Sequence, residues 1–204
     1  VGALGAFAPQ IVCVGDPGQI DPVVTGQTRR WDGSPTGPHL PAPAALIAAH
    51  GDAVSVVTLR HTWRLGPATT SLIQPTFYPT LPFTSRRPPE HLSGPDGTPL
   101  PEVAAHPVTA TAGPGDPALT GTCADLTRAL LDTTLTTSDG TRPVTPADLA
   151  VVAAHVSQAA AVRALLADLP DVLVGTANQL QGMERPAAVV LHPLAGYRDP
   201  TAFG

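Results

Sequence analysis

The sequence contains no lysine, and all 11 of its basic residues are arginine. A phosphate-binding loop of the GxxxxGK[ST] type needs a lysine for the β- and γ-phosphates of a nucleotide, so the chain cannot carry one. The net charge of −5 argues against a simple DNA-binding domain that works through a basic surface. This charge does not exclude a protein that binds a nucleic-acid strand through backbone amides and a few hydroxyl groups.

Cysteine, methionine and long apolar runs are also scarce. Cys13 and Cys123 lie far apart in apolar surroundings, which is typical of reduced, buried thiols in a cytosolic protein. They have no CxxC or CxxH spacing, so we predict no metal site. No apolar run reaches the roughly 18 residues that cross a bilayer, and no charged-then-apolar N-terminal segment with a cleavage site indicates secretion. We therefore expect a cytoplasmic protein with no membrane partner. Because the chain starts at Val1 and its only methionine is Met183, we expect a truncated or processed start.

The last third of the chain has the clearest secondary-structure pattern. The continuous apolar run Leu149–Ala153 predicts a strand buried on both faces. Apolar residues at helical spacing predict a helix over 156–169, and two further short apolar runs predict strands at 172–174 and 187–191. A strand, a helix and a strand at this spacing form a βαβ unit, so we predict an α/β fold with a parallel sheet flanked by helices.

The first two thirds are less regular. Helices are predicted at 41–50, 67–74 and 119–130, and strands at 11–14 and 54–59. Prolines and glycines are frequent from 84 to 117, so we interpret this stretch as a long loop or insertion with one strand near 103–111.

A turn rich in glycine and proline follows the predicted strand at 11–14. Gly15 and Asp16 begin this turn, and Gln19 follows three residues later. Ligands bind at the carboxyl ends of strands in open α/β sheets, where Gln19 could hydrogen-bond a terminal phosphate or the attacking water. The alternative is an ordinary turn in which Asp16 bonds its own backbone.

Two further segments carry candidate site residues. Arg64 precedes the helix predicted from Pro67, where a guanidinium can neutralise charge on a transferring γ-phosphate, although most such arginines are solvated surface residues. The polar loop after the strand at 172–174 is typical of a functional loop. In it, Thr176 could contact a nucleic-acid phosphate, Gly182 offers an amide to a nucleotide, and Glu184 could accept hydrogen bonds from ribose hydroxyls.

His155 and Gln158 lie at the start of the helix predicted over 156–169. The free amides at a helix N-terminus can hold a phosphate of a nucleic-acid backbone. We therefore include both residues among the candidates for strand binding.

Four segments, in this order, resemble the later motifs of superfamily-1 DNA/RNA helicases. Residues 15–22 look like motif III (GDxxQLxP), and 59–65 with Phe77-Tyr78 are similar to motif IV. Residues 150–158 resemble the VxxPYxxQ segment, with His155 in place of the usual tyrosine, and 176–184 look like motif V (TxxxxQGxE). The likeness extends to the helicase-type AAA ATPases. It covers nearly the whole chain apart from the proline-rich middle.

This resemblance implies two RecA-like domains that bind ATP between them and step along a single strand. Residues 1–40 would end the first domain, and residues 41–204, with the insertion at 84–117, would form the second. The resemblance assigns catalytic roles to Gln19, Arg64 and Glu184. It places the nucleotide at Gly15, Asp16, Gln19, Arg64, Gln181, Gly182 and Glu184, and the nucleic acid at Thr176, His155 and Gln158.

Parts of an ATPase are missing from the chain. It has neither a P-loop lysine nor an acidic DExx pair before the motif III-like segment, so the Mg ligands are expected outside it. We expect the chain alone not to hydrolyse ATP, and to work with the N-terminal RecA-like half of the same protein and with single-stranded nucleic acid, DNA rather than RNA. Two alternatives remain open: a regulatory or remodelling AAA-type ATPase without unwinding activity, and a non-catalytic interaction domain with a relict ATP site.

Overall fold

The computed structural model describes residues 10–16, 26–37 and 39–199. The chain divides into two units, one made of the described residues up to Thr62 with Ser71–Thr84, and one made of Trp63–Thr70 with the described residues from Ser85 onward. The predicted division at residue 40 stays a prediction. The described α-helices are α1 (Ala42–His50), α2 (Pro67–Phe77), α3 (Pro117–Leu130) and α4 (Val156–Leu165). None of them is long and apolar enough to cross a membrane.

Eight strands occur in the described residues. They are β1 (His61–Thr62), β2 (Thr84–Ser85), β3 (His91–Ser93), β4 (Thr134–Thr137), β5 (Gly140–Pro143), β6 (Leu149–Ala153), β7 (Leu173–Thr176) and β8 (Ala187–Val190). They form a two-stranded pair β1-β2, an antiparallel sheet β3-β4-β5, and a parallel sheet in the order β7-β6-β8.

The parallel sheet confirms the strand–helix–strand prediction for the last third of the chain. β6 lies in the middle, where Val151 is opposite Val174 on one side and Val189 on the other. Val151 is completely buried, as expected for a continuous apolar strand that has neighbours on both sides. The described residues thus have an α/β fold with a parallel sheet, an antiparallel sheet and the separate pair β1-β2; the fuller RecA-like sheet stays a prediction.

The core of the second unit lies between this sheet and two helices. α3 packs on β6 and β8, and α4 packs on β6 and β7. Leu119 of α3 and Val162 of α4 are 1% and 0% exposed, and both belong to the same apolar cluster as Leu149 and Val151. This packing positions the carboxyl ends of β6 and β7, where His155 and Thr176 lie.

Three predicted strands are absent from the described residues. Residues 11–14, 54–59 and 103–111 have no strand, and Val12, Val14 and Val57 are more than 80% exposed. An apolar run forms a strand only when a neighbouring strand satisfies its backbone groups, and none pairs with these segments here. Cys13 is exposed, which corrects the prediction of a buried thiol, whereas Cys123 is buried and its burial raises the pKa of its thiol.

The helices agree better with the sequence than these strands do. α1 and α3 are confirmed, and α2 begins at Pro67 as predicted but continues through Pro75 to Phe77. α4 ends at Leu165, four residues before the end predicted for it. The insertion contains the short strands β2 and β3, which the sequence pattern does not predict.

Asp116 caps the start of α3 and closes the insertion. Its Oδ2 accepts hydrogen bonds from the amides of Thr111 at 2.6 Å and Ala112 at 2.9 Å, and its Oδ1 accepts one from Ala118 at 2.9 Å. The amides of Ala112, Ala118 and Thr111 lower the pKa of Asp116 to about 2. Its stabilising effect is therefore complete above the ordinary carboxyl range near pH 4 and is lost as the pH falls toward 2.

Replacing Asp116→Asn should expose this pH dependence. The amide nitrogen of asparagine cannot accept a hydrogen bond, so the variant keeps at most one side of the cap. We expect it to unfold at a lower urea concentration than the wild type at pH 7, and the difference to shrink between pH 4 and pH 2. If the urea midpoints of the variant and the wild type differed by the same amount throughout this pH range, the charge of Asp116 would not be the stabilising feature.

Candidate functional site

The polar loop after β7 is held to the end of its strand by reciprocal hydrogen bonds. The amide of Thr176 donates to Oε1 of Gln179 at 3.0 Å, and the amide of Gln179 donates to Oγ1 of Thr176 at 3.4 Å. The Leu180 amide also donates to the Thr176 carbonyl at 3.0 Å. Thr176 is 9% exposed, so its side chain serves this turn first, and its contact with a nucleic-acid phosphate stays a prediction.

Two glycines shape the same loop. A Cβ on Gly175 would lie 2.8 Å from Cδ2 of Leu180, so the strand leaves room there for the leucine that folds back onto it. Gly182 has a φ of +84°, which favours glycine. Gln181 is exposed and precedes Gly182 in the turn. The sequence suggests that Gly182 offers an amide to a nucleotide. Its positive φ is a separate, structural reason for a glycine at this position.

Gly182→Ala should therefore lower the free energy of unfolding, by about 1 kcal/mol, since an L-residue is strained at this φ. The matched control is Gly121→Ala in the interior of α3, where an added Cβ meets nothing within 4 Å. There alanine should raise the free energy of unfolding, by roughly 0.5–1 kcal/mol, because it favours the helix. Urea titrations of both variants test this difference, and effects of the same sign would contradict it.

Arg64 and Glu184 form an ion pair in the second unit. Nε of Arg64 donates a hydrogen bond to Oε1 of Glu184, and the two side chains are 60% and 59% exposed. Two candidate catalytic residues separated by 120 positions in the sequence are thus in direct contact. A pair this exposed contributes only about 0.2–1 kcal/mol, because water screens both charges. An anion with several charges can therefore replace the carboxylate at little cost.

The backbone around Arg64 is fixed more firmly than its side chain. The Arg64 carbonyl accepts a hydrogen bond from Nη1 of Arg87, and the Leu65 carbonyl accepts one from Oγ of Ser85 at 2.7 Å. Arg87 is itself paired with Glu90. The guanidinium of Arg64 is consequently presented to solvent from a turn that is already in place.

The start of α4 uses Gln158 for its own structure. Gln158 is 5% exposed; its Oε1 accepts from the His155 amide at 3.2 Å, and its Nε2 donates to the Pro114 carbonyl at 2.8 Å. Nε2 of His155 lies 3.0 Å from the hydroxyl of Tyr197. Both residues thus bond within the chain, and their contact with a strand stays a prediction. No local sequence signal indicated Tyr197, because it lies far from His155 in the chain.

Of the motif III-like residues, Gly15 and Asp16 are described and belong to the first unit. Gln19 lies outside the described residues. Asp16 follows Gly15, and its Oδ2 accepts a hydrogen bond from the hydroxyl of Tyr78 at 2.9 Å. Burial raises the pKa of Tyr78, and the bond to the charged Asp16 raises it further. The contact joins the motif III-like segment to the Phe77-Tyr78 pair of the motif IV-like segment.

The described residues offer no metal centre. They contain no group of three or more histidine, cysteine, aspartate or glutamate residues that could hold a metal ion. A cavity of about 270 Å³ lies elsewhere in the second unit and is lined by residues that include Arg163, Leu166 and Val174, none of which belongs to the predicted site. No protein-family model matches the chain, and no curated protein matches its sequence.

Proposed function

We propose that the chain is the second motor domain of an ATP-dependent nucleic-acid helicase or translocase. The observation that carries this proposal is the contact between Arg64 and Glu184. The motif resemblance assigns both residues to the nucleotide site from segments that lie far apart in the sequence. Two residues of one nucleotide site must lie close together, and the local sequence of neither segment requires this contact.

The chemistry of the pair suits a nucleotide. Arg64 would donate to the γ-phosphate and neutralise the negative charge that grows on it during transfer. Phosphate oxygens would replace the Glu184 carboxylate on the guanidinium, which needs only a side-chain movement because the turn that bears Arg64 is already anchored. Glu184 would then be free to accept hydrogen bonds from ribose hydroxyls.

ATP fits this arrangement only in part. The guanidinium of Arg64 and the loop at Gly182 suit a phosphate and a nucleotide, whereas the lysine of a P-loop is absent from the sequence. The described residues also lack a cluster of magnesium ligands. The phosphate- and magnesium-binding half of the site would come from the N-terminal half of the motor.

The topology also suits a ligand at the edge of the sheet. β6 and β7 are parallel neighbours, and Ala153 at the end of β6 is in register with Thr176 at the end of β7. His155, just after β6, and Thr176, the last residue of β7, therefore lie at the same carboxyl edge, which is where open α/β sheets bind ligands. We assign this edge to the sugar–phosphate backbone of a single strand.

ATP turnover of the full gene product, with and without single-stranded DNA or RNA, tests the proposal. The motor predicts turnover that the strand stimulates. Turnover that the strand does not change would instead indicate the regulatory or remodelling ATPase. Absence of turnover under both conditions would indicate an interaction domain with a relict site.

A further inference from the structure

The helix that follows Arg64 begins without a capping side chain of its own. α2 starts at Pro67, and the residue before it, Gly66, accepts the first helical hydrogen bond from Thr70 through its carbonyl at 2.9 Å. A residue at this N-cap position normally offers a side-chain oxygen to the amides of the second or third helical residue. Glycine has no side chain, so these amides need another partner.

Glu102, in the proline-rich insertion, supplies that partner. Its Oε2 accepts from the Ala68 amide at 3.0 Å, and its Oε1 accepts from the amide and the hydroxyl of Thr69 at 2.8 and 2.5 Å. These amides belong to the second and third residues of the helix, which an N-cap side chain would serve. A carboxylate is also the favourable charge at the positive end of the helix dipole.

Gly66 makes room for this remote cap. A Cβ built on Gly66 would lie 2.5 Å from Cδ of Glu102, which is closer than real atoms approach. The missing side chain and the incoming carboxylate therefore occupy the same space. Burial opposes the charge on Glu102, but the hydrogen bonds from Thr69 and Ala68 and the charge of Arg87 outweigh it, so the pKa of Glu102 lies below its usual range.

The turn that carries Arg64 is thus held at both ends by the segment beyond α2. Ser85 and Arg87 bind the carbonyls of Leu65 and Arg64, and Glu102 binds the amides just after Gly66. All of these residues belong to the second unit.

We infer that Glu102 is a positioning residue for Arg64, through which the proline-rich insertion fixes the turn that presents the guanidinium to a nucleotide. The importance of this position for turnover rests on the function proposed above. Glu102 itself is not expected to touch the nucleotide.

The test must separate positioning from helix capping alone. Three variants of the chain serve it: Glu102→Ala, Glu102→Gln, and Gly66→Asp combined with Glu102→Ala. The double variant restores a local cap, because aspartate is a preferred N-cap residue, but it removes the tie to the insertion. Asp96→Ala is the matched control, since Asp96 lies in the same insertion and its carboxylate accepts hydrogen bonds from the amide and the hydroxyl of Thr98, away from the turn that bears Arg64.

The readouts are thermal unfolding and the NMR signal of the Nε–Hε group of Arg64, which reports its contact with Glu184. We expect Glu102→Ala to shift and broaden this signal, Glu102→Gln to do so less, and Asp96→Ala to leave it unchanged. The double variant should recover the melting temperature but not the signal. Recovery of both, or an unchanged signal in Glu102→Ala, would overturn the positioning role.

Turnover of the full gene product then distinguishes this inference from the proposed function. Misplacement of Arg64 should lower kcat by between about tenfold and a hundredfold in Glu102→Ala. The losses in Glu102→Ala and Arg64→Ala should not add, because both act through one guanidinium. A displaced Arg64 signal with unchanged turnover in both variants would refute the function and leave the positioning intact. Additive losses would refute the positioning.

Discussion

Arg64→Ala should reduce strand-stimulated ATP turnover of the full gene product by a factor of about 10³ or more. The expected loss is large because a guanidinium directed at the γ-phosphate acts on charge that develops in the transition state. Because the contact with the γ-phosphate strengthens as this charge develops, most of the loss should appear in kcat and a smaller part in KM. Loss of the exposed Arg64–Glu184 pair should cost little stability, and the variant should melt close to the wild type.

Two further variants sharpen this prediction. Arg64→Lys keeps the charge but loses the planar fork of donors, so it should recover only a small part of the turnover. Arg60→Ala removes an exposed arginine four positions earlier and should leave turnover within roughly twofold of the wild type, as for most surface substitutions. If Arg64→Ala were as active as Arg60→Ala, the assignment of Arg64 to a nucleotide site would be wrong.

The fold was most predictable where the hydrophobic pattern is compatible with only one arrangement of strands and helices. Leu149–Ala153 is a continuous apolar run of strand length, followed by a helical pattern and another short apolar run. A strand apolar on both faces needs neighbours on both sides and cover above and below, so these segments indicate a parallel α/β sheet by themselves. The observed sheet β7-β6-β8 agrees with that inference.

The antiparallel hairpin was missed because its strands are polar. β4 and β5 consist of Thr134–Thr137 and Gly140–Pro143, and every residue of β5 is exposed. Their pairing depends on the turn at Ser138 and Asp139 and on the φ of +124° at Gly140, a short-range signal that hydrophobic periodicity does not register. The apolar run at 54–59 fails for the converse reason, since composition cannot supply the partner strand that it lacks in the described residues.

The candidate site, too, was predictable from the sequence only in part. Motif order was enough to select Arg64 and Glu184, and the structure brings these two together. Long-range contacts of single side chains were beyond the reach of the sequence, because a glutamate in a proline-rich loop has no local mark that it caps a distant helix. Gln158 shows that a motif position does not by itself identify a ligand-binding residue. Its side chain instead forms hydrogen bonds with the backbone of His155 and Pro114.

Leu119→Ala should lower the free energy of unfolding by about 2–5 kcal/mol, the largest stability effect that we expect from one substitution. Leu119 is 1% exposed and lies in the cluster between α3 and the parallel sheet. Its removal forfeits the burial of an apolar side chain and leaves a cavity that the packed neighbours fill only in part. For a chain of 204 residues, this loss corresponds to a fall in melting temperature of roughly 4–20 °C.

Leu165→Ala is the matched control for this substitution. Leu165 also lies in a helix but is 47% exposed, so the same atoms are removed without a buried cavity. Both variants replace leucine with alanine in a helix, so their change in helix propensity is nearly equal and cancels in the comparison. Leu165→Ala should cost under about 1 kcal/mol. Similar losses in urea titrations of the two variants would mean that the face of α3 bearing Leu119 does not form the core that supports the carboxyl edge of the sheet.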